Sequence, residues 1–248
     1  MPAKKTRLDQ LLLDRGLVSN RSRAQALIVA GKVFSGERRL DKPGHQVTLD
    51  LDVVVRAPDY PWVSRGGVKL SHALDHFHLN PAGRVCLDIG ASTGGFTHVL
   101  LDRGADRVYA VDVGYGQLAD PIRNNNKVTI LDRTNARYLD GKTIPQPIDF
   151  LVCDASFIGL RTVLPASLLL TANSAIFIGL IKPQFEVGKQ EVGKGGIVRD
   201  VELHTKVIAQ ITDWLSAQAG WDVLGVTPSP ITGVSGNQEY LIAAKFRS

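Results

Sequence analysis

The sequence has few cysteines, few aromatic residues and no long apolar run. Its two cysteines, Cys86 and Cys153, lie far apart in apolar strand-like segments, which is typical of buried thiols in a reducing compartment. No apolar run reaches eighteen residues, so no membrane-spanning helix is predicted. The N-terminus lacks the apolar core of a secretory signal peptide, and no cluster of Cys and His predicts a metal site. We therefore expect a cytoplasmic protein with no membrane partner.

The positive charge is concentrated at the N-terminal end of the chain. Residues 1–49 contain ten Lys or Arg and four Asp or Glu, whereas residues 66–248 contain seventeen of each sign. A basic segment beside a neutral one is typical of a module that binds a polyanion such as RNA. The candidate RNA-binding residues are Arg7, Arg21, Arg23, Lys32 and Arg65.

Two domains of different kinds are predicted. Helical patterns over residues 7–13 and 21–30, ended by Gly16 and Gly31, precede short strand patterns, which together indicate a small α+β RNA-binding domain over residues 1–57. Pro58 and Pro61 mark a linker over 58–64. The remainder, 65–248, forms the second domain.

Strand and helix patterns alternate in the second domain. Strands are predicted at 85–89, 108–113, 128–131, 150–153, 175–181, 223–226 and 240–245, and helices at 95–102, 160–172 and 203–219. Continuous apolar strands separated by helices are typical of a mostly parallel sheet covered on both faces. The pattern predicts a Rossmann-like α/β domain with a seven-stranded sheet.

A glycine-rich loop follows the first of these strands. Its pattern, Gly-x-Ser-x-Gly-Gly, leads into a helix and departs from the Gly-x-Gly-x-x-Gly that binds a dinucleotide. Glycine at such a turn also meets a routine structural need, so the loop alone does not decide between ligand binding and architecture. The candidate cofactor-binding residues here are Asp88, Gly90, Ser92, Gly94 and Gly95.

Two acidic positions favour S-adenosylmethionine as the ligand. Asp88 precedes the loop, where a carboxylate suits the cationic amino group of the methionine part. Asp112 ends the next strand, where an acid can accept both ribose hydroxyls, although a turn residue would also suit this position. Asn135 follows the third strand and offers a side-chain amide to adenine.

Four residues suit methyl transfer to a ribose 2′-hydroxyl. This hydroxyl is a weak acid, so the enzyme must align it and help to remove its proton. Lys69, Asp154, Lys182 and Glu239 supply two amines and two carboxylates, of which Asp154 and Lys182 end predicted strands. An ordinary salt bridge at a strand end is the alternative for either of these two.

Several motifs in order resemble the TlyA family of rRNA 2′-O-methyltransferases, whose members carry the older name of hemolysins. The resemblance covers almost the full length and is carried by Arg7-Leu-Asp, Ser64-Arg-Gly-Gly, the loop from Asp88 to Thr97, Asp112-Val-Gly-Tyr-Gly, Arg133-Thr-Asn-Ala-Arg, Lys182-Pro-Gln-Phe-Glu and Gly236-Asn-Gln-Glu.

The resemblance implies methylation of cytidine in ribosomal RNA, with S-adenosylmethionine as methyl donor and ribosomal RNA or a ribosomal subunit as partner. The methyltransferase half is similar to FtsJ-type enzymes, and their Lys-Asp-Lys-Glu tetrad would fall on Lys69, Asp154, Lys182 and Glu239. Tyr60 stands where the family often has an arginine, which leaves the coupling between the domains open.

Two other functions remain as alternatives. A non-catalytic ribosome-binding or assembly factor would use the same basic domain without methyl transfer. A membrane-lytic protein is suggested only by the older family name, and the sequence has no obvious lytic amphipathic helix. Neither the oligomeric state, the modified nucleotide nor the ribosomal subunit follows from the sequence.

Overall fold

The computed structural model describes residues 5–18, 20–56 and 60–247, with their side chains apart from those of Arg23 and Lys189. The chain divides into two compact units, Met1–Pro61 and Trp62–Ser248. Among the helices of the described residues, none is both long and apolar enough to cross a bilayer.

The first unit is a small α+β domain. Leu8, Leu12 and Ile28 are fully buried, so the inner faces of its two helices form a core with the apolar residues of the short strands. Gly16 and Gly31 have φ of +67°, which confirms them as the predicted helix stops. The elements are β1 (Lys5–Arg7), α1 (Leu8–Asp14), α2 (Arg21–Val29), β2 (Val33–Ser35), β3 (Arg38–Arg39), β4 (Gln46–Thr48) and β5 (Val54–Val55). β1 pairs with β4, and β2 lies between β3 and β5.

The second unit is an α/β domain built on one seven-stranded sheet. Its elements are α3 (Gly66–His76), β6 (Val85–Ile89), α4 (Gly95–Asp102), β7 (Arg107–Val111), α5 (Asp120–Arg123), β8 (Val128–Leu131), β9 (Ile148–Cys153), α6 (Leu160–Val163), α7 (Pro165–Leu168), β10 (Thr171–Ile181), α8 (Pro183–Glu186), α9 (Val201–Ser216), β11 (Trp221–Pro228) and β12 (Tyr240–Phe246).

The strand order creates a crevice at the carboxyl ends of the parallel strands. The order is β11-β12-β10-β9-β6-β7-β8, with β12 antiparallel to both of its neighbours and the other pairings parallel. The chain first runs outward from β6 through β7 to β8 and then returns to the other side of β6 with β9. Ligands of open α/β sheets bind outside the carboxyl ends of the strands at such a reversal. The mostly parallel seven-stranded sheet confirms the predicted fold class.

Both faces of the sheet are buried. Phe150 and Val152 of β9 point into one core with α3 and α4, whereas Leu151 and Cys153 point into the other, which contains residues of α6, α7 and α9. Successive side chains of a strand alternate between the two faces, so an all-apolar strand is what a sheet covered on both sides requires.

One predicted helix is wrong. The segment 160–172 contains two short helices, α6 and α7, and β10 already begins at Thr171. Pro165 begins α7 and has no backbone N–H to continue the hydrogen bonding of α6. Thr171 pairs with Ile148 of β9, so pairing with the neighbouring strand extends β10 beyond the predicted 175–181.

Candidate active site

The four residues predicted for catalysis lie around one cavity. Asp154 follows β9 and Lys182 follows β10, so they reach the rim from neighbouring parallel strands. Glu239 precedes β12, whose first residue, Tyr240, pairs with the last residue of β10 because β12 runs antiparallel to it. Lys69 reaches the site from α3. All four line a cavity of about 590 Å³, which we call the rim cavity.

Lys182 and Asp154 form the first ion pair of this cavity. Lys182 Nζ lies 2.7 Å from Asp154 Oδ1, and the two side chains are 8% and 20% exposed. The same Nζ donates to Ser156 Oγ at 2.8 Å and to the backbone carbonyl oxygen of Asp154 at 3.3 Å. These contacts fix the amine at the end of β10.

Lys69 and Glu239 form the second ion pair. Lys69 Nζ donates to Glu239 Oε2 at 2.5 Å, and both side chains are buried. Removing one partner of a buried pair leaves an uncompensated charge, so each of these residues depends on the other. The rim cavity therefore holds two amines, each already paired with a carboxylate.

The glycine-rich loop passes directly beneath the rim. Gly90 has φ of +78°, and a Cβ at this position would lie 2.9 Å from the carbonyl oxygen of Asp154. Gly94 has φ of +92°, and a Cβ there would lie 3.0 Å from Leu118. Only glycine fits such conformations at such close approach without strain. Gly90, Ser92 and Gly95 line the rim cavity, whereas Gly94 lies behind the loop.

Asp88 is fully buried below this loop and lines neither the rim cavity nor the second cavity described below. Burial raises the pKa of its carboxyl to about 7, and the nearby charges of Asp154 and Asp112 act in the same direction. Thr97 Oγ1 donates to Asp88 Oδ2 at 2.6 Å, while Oδ1 is buried without a hydrogen-bond partner. Its predicted contact with an ammonium group stays a prediction.

A second cavity adjoins the first. It has a volume of about 750 Å³ and is lined by Asp112 and Asn135, and it shares Gly90, Ser92 and Asp154 with the rim cavity. We call it the cofactor cavity. The backbone N–H groups of Ser92 and Gly114 donate to Asp112 at 2.8 and 2.7 Å and hold its carboxylate at the end of β7.

Two of the predicted RNA-binding residues are engaged with a buried carboxylate in the first unit. Arg7 donates to both oxygens of Asp9 at 3.0 Å, Arg21 Nε donates at 3.1 Å and Gln25 at 2.9 Å. The Arg7 guanidinium, with the other two donors, holds the pKa of Asp9 well below its usual range. The side chains of Arg7 and Arg21 are still 43% and 50% exposed.

The other predicted RNA-binding residues occupy different surroundings. Lys32 is exposed between α2 and β2. Arg65 is half-buried, precedes α3 and lines the rim cavity. The side chain of Arg23 lies outside the described residues.

Three residues near the site were not predicted. Ser156 contacts Lys182, and Glu186 accepts a hydrogen bond from the backbone N–H of Leu160 at 2.6 Å. Phe157 is 91% exposed, has φ of +65° and lies 5.2 Å from the ring of Phe185. Ser156 and Phe157 follow Asp154 directly in the sequence, which was a signal for both of them. Nothing local indicates the partner of Glu186.

Family comparisons divide the chain in the same order as the structure. Residues 6–53 match the S4 domain, and residues 62–246 match the FtsJ-like methyltransferase.

Similar proteins span nearly the whole chain. The chain is 48% identical to the 16S/23S rRNA (cytidine-2′-O)-methyltransferase TlyA of Mycobacterium tuberculosis, over 97% of its own length and 90% of that protein. It is 44% identical to YqxC of Bacillus subtilis, described as a candidate rRNA methyltransferase, over 98% and 86%. A solved structure from Streptococcus thermophilus, described as a candidate hemolysin, is 37% identical with a TM-score of 0.75, over 98% of this chain and 89% of that one.

Proposed function

Since the chain belongs to the FtsJ-like methyltransferase family and also contains an S4 domain, we propose that it transfers a methyl group from S-adenosylmethionine to the ribose 2′-hydroxyl of a cytidine in ribosomal RNA. The observation that carries the proposal is the convergence of two lysine–carboxylate pairs on the rim cavity, next to the cofactor cavity. The proposal includes an RNA-binding domain over residues 1–57, a linker over 58–64 and a methyltransferase domain over 65–248.

The cofactor cavity fits S-adenosylmethionine by its donor and acceptor groups. The carboxylate of Asp112, held by two backbone N–H groups, suits the two ribose hydroxyls, and Asn135 suits the adenine. Gly90 and Ser92 of the glycine-rich loop line the same cavity, so this loop would lie against the ligand. When bound, the cofactor supplies a methyl group that its sulfonium has already activated.

The polar residues of the rim cavity would position and deprotonate the target hydroxyl. Lys182 aligns the 2′-oxygen and, once its ammonium has released a proton to solvent, accepts the hydroxyl proton as the oxygen–methyl bond forms; Asp154 orients Lys182. Lys69 and Glu239 hold the nucleotide and complete the polar network. Alignment alone accounts for a large part of such a rate enhancement, because the methyl group needs no further activation.

The first unit would hold the RNA. Its excess of Lys and Arg supports binding through phosphate groups, with Arg7, Arg21, Arg23 and Lys32 as the proposed contacts. Arg65 of the second unit is a further proposed contact, at the rim cavity. Such contacts position the substrate, whereas the rim cavity selects the sugar oxygen. A ribosomal subunit offers both the phosphates and the target nucleotide.

Mapping 2′-O-methylated positions in ribosomal RNA, with and without this protein, tests the proposal. We expect one or a few cytidines to become methylated by the wild-type protein. We also expect Lys182→Ala to lose about a hundredfold or more in the methylation rate, the usual contribution of a general base. Binding of ribosomal RNA without any methyl transfer would instead indicate an assembly factor, and near-normal transfer by Lys182→Ala would refute the role of that lysine.

A further inference from the structure

The two lysines of the rim cavity differ in how their N–H donors are used. A protonated lysine has three donors. The amine of Lys182 donates hydrogen bonds to the Asp154 carbonyl oxygen and to Ser156 Oγ, and it also forms an ion pair with Asp154 Oδ1. For Lys69, the described residues provide the single acceptor Glu239 Oε2. A substrate oxygen that contacts Lys182 therefore has to compete with acceptors that already surround its amine.

Ser156 is the acceptor that a substrate can replace at least cost. The bond to Asp154 Oδ1 is an ion pair of low exposure, and the Asp154 carbonyl belongs to the backbone at the end of β9. Ser156 is exposed and neutral, and it lines both the rim cavity and the cofactor cavity. The ion pair is stronger than a hydrogen bond to a neutral acceptor. Of the two neutral acceptors, only the Ser156 hydroxyl can rotate away, because the carbonyl is fixed in the backbone, so the bond to Ser156 is the one that yields.

The position of Ser156 also matches the place that methyl transfer requires. The target oxygen has to lie where the two cavities meet, because the methyl group arrives from one cavity and the ribose from the other. Ser156 lies at this junction, 2.8 Å from Lys182 Nζ.

We propose that Ser156 is a positioning residue for methyl transfer: its hydroxyl holds Lys182 Nζ toward the junction of the two cavities and yields this hydrogen bond to the target 2′-oxygen. This inference rests on the proposed function and adds a residue to it. A hydroxyl can both accept and donate, so Ser156, once released, can donate to the ribose that replaces it.

Steady-state kinetics on ribosomal RNA test the proposal with three variants. Ser156→Ala should lower kcat about tenfold with KM for RNA nearly unchanged, since Lys182 is no longer held toward the junction before the 2′-oxygen arrives and the ribose loses the hydrogen bond that the released hydroxyl donates. Ser156→Thr keeps the hydroxyl and should restore most of kcat. Ser216→Ala is the matched control, because Ser216 is also exposed but ends α9, lines neither cavity and has no hydrogen bond from its hydroxyl among the described residues. A kcat of Ser156→Ala within twofold of the wild type would overturn the proposal.

A second measurement needs neither RNA nor cofactor. Mass spectrometry can follow the acetylation of Lys182 by an amine-specific reagent, with Lys69 as the reference in the same sample. Without Ser156, one acceptor of the ammonium is lost, so Lys182 should be acetylated several times faster in Ser156→Ala while Lys69 is unchanged. Equal rates in the two proteins would refute the holding role. If the wild-type protein methylated no ribosomal RNA, the proposed function would fail, yet this labelling would still decide whether Ser156 holds Lys182.

Discussion

Asp9 and Asp88 are both fully buried carboxylates, but their surroundings shift the pKa in opposite directions. Asp9 accepts hydrogen bonds from two arginines and a glutamine, which favour its charged form. Asp88 has one hydrogen bond from Thr97 and lies near other carboxylates, so burial dominates and raises its pKa to about 7. The ionised carboxylate of Asp9 stabilises the first unit, whereas ionisation of Asp88 costs free energy in the second unit.

For Asp9→Asn we expect the first unit to lose about 2 kcal/mol of unfolding free energy at pH 7, because charge-assisted hydrogen bonds to Arg7 and Arg21 are lost. The lowered pKa means that the unfolded state takes up the proton first as the pH falls. The contribution of Asp9 is therefore complete above about pH 4 and is lost progressively as the pH falls from there toward the lowered pKa of the folded state. NMR signals of the α1 amides, followed in urea at pH 7 and pH 3, measure this. An equal difference between the proteins at both pH values would contradict the argument.

For Asp88→Asn we expect a smaller dependence of stability on pH. The raised pKa means that the folded state keeps its proton after the unfolded carboxyl has lost it, so the wild-type unfolding free energy falls by about 1 kcal/mol per pH unit between about pH 4 and pH 7. The amide keeps an oxygen for Thr97 and has no charge. Fluorescence of Trp62, Trp214 and Trp221 in urea reports on the second unit alone, since all three tryptophans lie there. Parallel pH profiles of the variant and the wild type would count against this reading.

At the scale of elements, Glu186 joins two loops that line the cavities. Helix α8 begins directly after Lys182 and ends at Glu186. Glu186 Oε1 accepts a hydrogen bond from the backbone N–H of Leu160 at the start of α6. Burial raises the pKa of this carboxyl. The bond fixes the segment after β10 to the segment after β9, which contains Ser156 and Phe157. Glu186 therefore connects two segments that line the site, and none of its described hydrogen bonds is to Lys182.

For Glu186→Ala we expect kcat to fall about tenfold, because the two segments lose their common hydrogen bond and the reacting groups lose alignment. Glu186→Gln keeps one oxygen that can accept from Leu160 and should recover most of the activity. Kinetics on ribosomal RNA, with urea unfolding as a check that both variants are folded, make the comparison. Wild-type kcat in the alanine variant would show that the bond does not support the site.

At the scale of the whole molecule, the uneven charge predicts strongly salt-dependent RNA binding. Lys32→Ala should weaken binding and make the slope of log affinity against log salt less steep by about one, the value for one lost phosphate contact. Lys142→Ala is the matched control, an exposed lysine of the neutral second unit. Filter binding of ribosomal RNA from about 50 to 200 mM salt covers the range in which such contacts respond. The same slope for both variants would remove Lys32 from the RNA contacts.

The local parts of the site could be predicted because each depends on a short segment. Asp154 and Lys182 follow strands whose last residues, 150–153 and 175–181, read as apolar runs, and parallel strands carry their last residues to one edge. The two arginines that Asp9 engages required contacts that the sequence patterns do not encode. The interruption of the helix pattern at Pro165, in contrast, has a local cause that the sequence shows. Sequence reasoning placed Asp88 at the cofactor, whereas its full burial follows from packing around β6.

The amino-acid order by itself determined the basic first module, the alternation of strand and helix, and the glycine turn below the rim, because composition, periodicity and the missing Cβ act over a few neighbouring residues. Only the tertiary structure decided which charges meet. Lys69 and Glu239 are 170 positions apart and pair because an antiparallel last strand returns its first residue to the edge where the parallel strands end. The hydrogen bond from Lys182 to Ser156 likewise depends on the tertiary structure, because the pairing of β9 with β10 brings the two residues together.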